Sequence, residues 1–401
     1  MNRLRVVLVA AALLVAACKS SRQDPREHIG PTHPVVTATA TPTELKVNWD
    51  LGVPIVEVFI DGHGPWNFVL DSGAGGYALD QRVADELKLE RVELSADGTG
   101  VPASDVMGGR VELHPTACIH EIRCGPLVER DTNADVFDLS AFEQASGTRV
   151  DGLLPAAAFW SVLLTLDYAG RTVTVGSGEL PPADGADVLS MERMERQAYI
   201  ALPIAAVPCR VLVDTGSNTG LCVPASREPS LRFRSPPAIA GLRATLAGVA
   251  PNRMARLDGA IAWGRHRIAD PVVVLSGGEC AMAGSQVLRE FRITFDFSHS
   301  RIRFERGSAE PIRSKSVRGL GGSAMHKDGV STVDFVLPGG PAERAGVRVG
   351  DRIESVDGES YSDISSRKWE EMMQTKTQVR LRIVRDDGPH DVAVDVATFV
   401  E

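Results

Sequence analysis

Runs rich in Val, Ile, Leu and Phe, each broken after a few residues by Gly, Asp or Pro, recur along the chain and predict a mainly β protein. In "PIVEVFIDGHGPWNFVLDSG", residues 54–73, two such runs flank Asp61-Gly62-His63-Gly64-Pro65, which predicts two strands joined by a turn. "YIALPIAAVPCRVLVDTG", residues 199–216, repeats the plan with a shorter turn. Both runs end in an Asp, a small hydroxyl residue and a Gly, where a buried strand gives way to a loop. Downstream, "PAAAFWSVLLTLDYAGRTVTV" (155–175) lies on "GSQVLREFRITFDFSHSRIRF" (284–304) without a gap, with Thr165-Leu166-Asp167-Tyr168 over Thr294-Phe295-Asp296-Phe297. Each copy predicts a short helical turn, at 159–163 and 287–292, and a closing hairpin. Such a repeat predicts two β-rich lobes, each delivering one Asp to a cleft between them.

Beyond residue 306 the pattern changes. A linker over 307–316 leads to "GPAERAGVRVGDRIESVDG" (340–358), where Pro341 suits a helix start and Gly346 the residue after its end. A strand and a turn at Asp357-Gly358 follow. A second helix is expected after Ser362 or Asp363, burying Ile364, Trp369, Met372 and Met373, and "VRLRIV" (379–384) alternates as a strand does. Upstream lies the glycine loop Gly319-Leu320-Gly321-Gly322.

The N-terminus is read as an export signal. Arg3 and Arg5 precede an apolar run from Val6 to Ala17, shorter than the roughly 20 residues a membrane-spanning helix needs. The run ends in "VAAC" at Cys18, which resembles the bacterial lipoprotein box and implies acylation of Cys18. Several acyl chains would anchor the chain firmly, at about 0.8 kcal/mol per buried CH₂. Lys19, rather than Asp, follows; by resemblance to lipoproteins of two-membrane bacteria this implies the periplasmic face of the outer membrane. The chain therefore divides into a signal peptide (1–17), a lipidated Cys with a Pro-rich flexible tether (18–44), a first lobe (45–180), a second lobe (190–306), the linker (307–316) and a C-terminal domain (317–401).

The 401 residues suffice for two or three domains, and 43% apolar content for their cores. A formal net charge of -9, with no long Lys/Arg block, excludes a surface built to track phosphates. The expected partners are peptides or proteins, with no nucleic acid. Export implies an oxidising compartment, yet Cys118, Cys124, Cys209, Cys222 and Cys280 leave an odd count and one thiol over. His114, Cys118, His120 and Cys124 have a spacing that suggests a metal, but on one straight strand they spread over about 30 Å. They converge only around a turn; a local disulfide Cys118–Cys124 across such a turn is the reading adopted, with zinc as the alternative.

With both Asp-containing turns in matching places, residues 45–306 resemble the pepsin and retropepsin group of aspartic proteases, with both retropepsin-like lobes in one chain. "DLSAFEQASGTRVDGLLP" (138–155) is similar to bacterial members. The resemblance implies a bilobal unit with a central cleft and a catalytic dyad of Asp71 and Asp214. Ser72 and Thr215 would brace the two loops, and Gly73 and Gly216 would permit their close approach. Two adjacent carboxylates share one proton, so one activates water and the other assists the scissile carbonyl, with no metal or cofactor; this dyad is a standard illustration of the principle. No dimer is needed to complete such a site. The Ser217 hydroxyl, matched by Ala74 in the first repeat, is expected to donate to Asp214 and make it the more readily ionised partner. One departure stands out: Met282-Ala283-Gly284 fits the family's crossing loop, whereas Leu153-Leu154-Pro155 replaces its Gly by Pro. A flap is sought at 97–109. The C-terminal block resembles a bacterial PDZ domain, which implies peptide binding by strand addition from Ser323 to Met325, with Gly319–Gly322 holding a carboxylate. Two functions remain open: an endopeptidase whose PDZ domain recruits protein substrates, or a catalytically weak protease-fold scaffold that binds peptides through that domain.

Overall fold

The computed structural model describes residues 9–10, 34–37, 41–92, 114–140, 148–245, 248–327, 329–364 and 366–401. The molecule is mainly β. In the first half, strand Ile55–Ile60 turns through Asp61 and Gly62, both at positive φ (48° and 80°), into strand His63–Asp71. That pair of left-handed residues matches the natural twist of a two-residue hairpin, which is why Asp-Gly stands there. Strand Gly152–Pro155 runs parallel to the end of His63–Asp71 and antiparallel to Tyr77–Asp80, the strand that follows the Asp71 turn. The second half repeats this arrangement: Ala281–Ala283 lies parallel to Val207–Val213 and antiparallel to Leu221–Pro224. Each half thus wraps a crossing strand behind its Asp turn.

A third sheet joins the halves, in the order Val188–Ser190, Arg301–Glu305, Arg292–Asp296, Leu163–Asp167, Thr172–Gly176, Thr43–Glu44. Leu163–Asp167 pairs with Arg292–Asp296, its own repeat counterpart, and Thr165 faces Thr294 with hydroxyls 3.0 Å apart. A residue meeting its own copy is what a local two-fold axis produces. Leu164, Leu166, Ile293 and Phe295 are fully buried beneath this sheet, and they belong to one apolar core that continues into both halves. Among the described residues, no helix is long and apolar enough to cross a membrane.

The C-terminal part has its own core. Its sheet runs Gly322–Lys327, Val330–Val336, Arg352–Val356, Gln378–Arg385, Gly388–Asp395, so Gly322–Lys327 is an edge strand. Helix Pro341–Arg344 ends before Gly346 (φ 84°), and helix Ser366–Thr375 buries Trp369, Met372 and Met373 as its spacing predicts. This part rests against the second half through Arg256, which donates to the carbonyls of Glu401, Asp270 (2.7 Å) and Ser314 (3.2 Å).

Four expectations are corrected. Val35–Val36 and Thr43–Glu44, read as tether, are strands paired with Leu127–Val128 and Thr174–Val175, because open sheet edges accept any extended segment. Ile312–Arg313, read as linker, pairs with Ile268–Ala269. The helical turns come earlier, at Ala156–Phe159 and Ser285–Leu288, directly after the Pro155 and Gly284 that start them. Cys118 and Cys124 form no disulfide, nor do Cys209, Cys222 and Cys280. Both lie on one strand, Thr116–Cys124, whose turn follows Cys124 rather than separating the pair; six residues of strand hold them about 20 Å apart. Among the described residues, no group of three or more His, Cys, Asp or Glu side chains is placed to hold a metal ion. The 97–109 segment lies outside the described residues.

Phe295→Ala removes a fully buried ring stacked on Phe297 (centroids 5.4 Å apart) in the sheet shared by both halves. It should cost about 3–5 kcal/mol and lower both halves in one cooperative transition, seen by calorimetry; two separate transitions would contradict a common core.

Candidate active site

The strands that end at Asp71 and Val213 bring their loops together across the two-fold axis. Four hydrogen bonds lock the loops, each donor on one half and each acceptor on the other. The Ser72 N–H donates to Thr215 Oγ1 (3.0 Å) and the Thr215 N–H to Ser72 Oγ (3.1 Å). The Ser72 hydroxyl donates to the Val213 carbonyl (2.6 Å) and the Thr215 hydroxyl to that of Leu70 (2.7 Å). Every donor of the two hydroxyl residues is used, which is why a small hydroxyl side chain follows each Asp.

The glycines then decide how close the carboxylates come. A Cβ on Gly73 would stand 2.8 Å from Asp214 Cγ, and one on Gly216 would stand 2.5 Å from Asp71 Cγ. Each carboxylate therefore presses on the opposite loop's glycine. Gly73 N–H donates to Asp71 Oδ1 (2.7 Å), and the Gly216 and Ser217 N–H groups donate to Asp214 Oδ1 (3.0 Å each). The Oδ2 atoms of both Asp residues are buried with no other hydrogen-bond partner. Two acceptors cannot satisfy each other; a single proton between the carboxyl groups satisfies both.

The electrostatics agree. Burial pushes the Asp71 carboxyl up to about 7 against the pull of its N–H donors. Burial and the nearby Asp71 charge hold Asp214 well above the ordinary carboxylate range, so the pair keeps a proton where lone carboxylates have lost theirs. The hydroxyl contact expected from Ser217 is not made: its Oγ is engaged with Thr219 Oγ1 (2.8 Å), and its backbone N–H is what reaches Asp214.

The crossing strands explain Pro155. Pro155 stands beside Asp71 in the parallel register, the place Gly284 takes in the second half. A Cβ on Gly284 would meet Thr219 O at 2.6 Å and Ser217 O at 2.9 Å, and its N–H donates to Gly220 O (3.0 Å). The first loop has Ala74 and Gly76 where the second has Ser217 and Thr219, and it reaches its strand one residue sooner, since Ala78 opposes Leu153 while Cys222 opposes Met282. That leaner loop leaves room for the ring.

Three contributors lie outside the sequence reading. Gln197, buried in the second half, donates from Nε2 to Gly73 O (2.8 Å) and accepts at Oε1 from the Tyr199 hydroxyl (2.7 Å). Between them, the Ala198 N–H donates to Ser72 O (3.1 Å).

In the C-terminal part, Gly321 has φ 73°, and the carbonyls of Leu320 and Gly321 accept from Ala342 N and Leu337 N (2.8 Å each). A trans peptide points its N–H opposite its C=O, so the next N–H groups, on Gly321 and Gly322, turn away from these partners. Gly319 ends the strand before this loop, and Gly322 opens the edge strand.

Residues 56–156 match the aspartyl protease family model. Residues 332–385 match that of the PDZ domain. The chain thus carries an aspartyl protease domain, which includes Asp71 and Pro155, and a C-terminal PDZ domain. Among solved structures it is similar to a PDZ domain protein from Parabacteroides distasonis (19% identity, 21% of each chain, TM-score 0.19). It is also similar to the HtrA3 PDZ domain bound to the phage-derived ligand FGRWV (24% identity, 17% of this chain and 64% of that one, TM-score 0.16). The chain spans less than two thirds of either. No curated protein matches it.

A carboxyl raised on folding weakens the fold as pH climbs from its unfolded value, about 4, toward its folded one, here about 7. Asp71→Asn, neutral at every pH, should therefore stabilise the protein near pH 7 by on the order of 2–4 kcal/mol and by nothing near pH 4. Thermal unfolding against pH checks this; a variant less stable than the parent at pH 7 contradicts a shared proton.

Proposed function

We propose that the chain is an aspartic endopeptidase, formed by two retropepsin-like lobes in one chain, that hydrolyses peptide bonds by direct attack of water. The reading rests on one observation: two carboxylates from the two halves are pressed together with their outer oxygens satisfied by no other donor. With Asp71 charged and Asp214 protonated, Asp71 takes a proton from the attacking water. Asp214 gives its proton to the scissile carbonyl oxygen, and a tetrahedral diol forms with no covalent enzyme intermediate. Its collapse returns one proton to the leaving amine and restores the pair. The four cross-half hydrogen bonds keep this geometry fixed, so little reorganisation is needed in the transition state.

The PDZ domain supplies the recruiting element. Its edge strand Gly322–Lys327 can accept an added peptide strand, and the N–H groups of the Gly319–Gly322 loop suit a terminal carboxylate. Acylated Cys18 would hold the protein to a membrane of the exporting cell, at the periplasmic face of the outer membrane, and bring it near exported substrates.

A second reading is favoured by one feature: both carboxylates are 0% exposed. Hydrolysis requires a conformation in which the pair opens to a groove. A scaffold that never opens would bind peptides through its PDZ domain alone.

Cleavage of a mixed peptide library separates the two. The wild type should cut at near-neutral pH, with activity falling as acid protonates the pair. Asp71→Asn and Asp214→Asn should each lower kcat by about 100- to 10,000-fold. No cleavage by the wild type between about pH 4 and 8 leaves the scaffold.

A further inference from the structure

The two halves do not hold their catalytic loops equally. Strand Gln197–Ile204 of the second half reaches across to the first loop twice, from the Ala198 N–H to Ser72 O and from Gln197 Nε2 to Gly73 O. The reverse is not built. Tyr199 pairs with Leu212 as Ile55 pairs with Val69, so Val53 and Pro54 occupy the places of Gln197 and Ala198. Val53 has no donor, and Pro54 has no N–H.

What Gln197 holds is a single peptide group with two ends. The Gly73 carbonyl accepts from Nε2; the N–H of the same peptide, on Ala74, faces the Asp71 carboxylate. Because the peptide is planar and trans, fixing the carbonyl fixes the N–H, and a hydrogen bond at the oxygen polarises the donor at the other end. Gln197 is itself oriented, since the Tyr199 hydroxyl donates to Oε1 and leaves the amide's donors for Gly73. We propose that Gln197, held by Tyr199, is a positioning residue that sets the Gly73–Ala74 peptide against the Asp71 carboxylate and so tunes the ionisation of the pair. The ionisable groups facing the pair are Tyr168, near both carboxylates, and Tyr199 on the Asp214 side, with Cys280, Arg210 and Glu195 beyond it. None of these donates to Asp71, so none masks a change made at Gln197.

The catalytic consequence rests on the endopeptidase reading; the positioning role does not. The test therefore has two readouts on the full chain: carbon-13 NMR titration of aspartate-labelled protein, and the pH profile of peptide cleavage. Gln197→Leu should raise the first ionisation of the pair by about half to one pH unit and Tyr199→Phe by less, as expected for a hydrogen bond lost from a charged group. The acid limb of kcat/KM should move up with it, and kcat near neutral pH should fall about tenfold with KM unchanged. If Gln197→Leu fails to fold, Tyr199→Phe decides alone. Unmoved titration in the folded variants overturns the proposal. A wild type that cuts nothing, but whose titration shifts in the variants, overturns the endopeptidase reading and leaves the role of Gln197 standing.

Discussion

Two carboxylates buried against each other, with one proton between them, impose the constraint from which the rest of this structure follows. A lone buried carboxylate would cost several kcal/mol, and two charged ones more. Sharing a proton removes one charge, and backbone N–H groups from Gly73, Gly216 and Ser217 stabilise the other. That solution demands close approach, hence Gly at 73 and 216, where a Cβ would strike the opposite carboxylate. It also demands rigidity, hence the reciprocal bonds of Ser72 and Thr215, 143 residues apart. The sheet pairing Thr165 with Thr294 supplies the two-fold frame on which both loops hang.

Duplication gives symmetry; the differences between the copies give each Asp its own surroundings. Gly284 is required by the crowded Thr219 loop, whereas Pro155 fits behind the leaner Ala74–Gly76 loop. Pro155 therefore takes the place of Gly284 behind a loop one residue shorter. Gln197 and Ala198 reach toward Asp71, and Val53 and Pro54 return nothing to Asp214.

Much of this was legible from residue order. The hairpins, the repeat and the helix spacing at Trp369, Met372 and Met373 came through because period and turn chemistry are local signals. A gapless overlay matched Thr165 to Thr294 as repeat copies, but that their strands pair with each other came only from the fold. What stayed hidden depends on where side chains turn in three dimensions. Ser217 was expected on Asp214, yet Thr219 two residues away competes for its hydroxyl. Gln197 lies just upstream of the repeated strand and was invisible beside it; only its alignment with apolar Val53 would have singled it out. Cys118 and Cys124 were assigned a turn between them, when the strand runs straight through both. Short edge pairings at Val35–Val36 and Ile312–Arg313 carry no periodicity at all, because two residues cannot show one.

The PDZ domain is docked rather than loosely strung, since Arg256 ties the second half to Ser314 before that domain and to Glu401 within its last residues. All of this presupposes the shared proton, and infrared spectroscopy observes it directly through the carbonyl stretch of a protonated carboxyl group. Wild type minus an Asp71→Asn/Asp214→Asn double variant should show one buried protonated carboxyl at pH 8, above the Asp71 value of about 7 and where ordinary carboxylates are ionised. A difference spectrum with two ionised carboxylates and no protonated band at that pH would contradict the account.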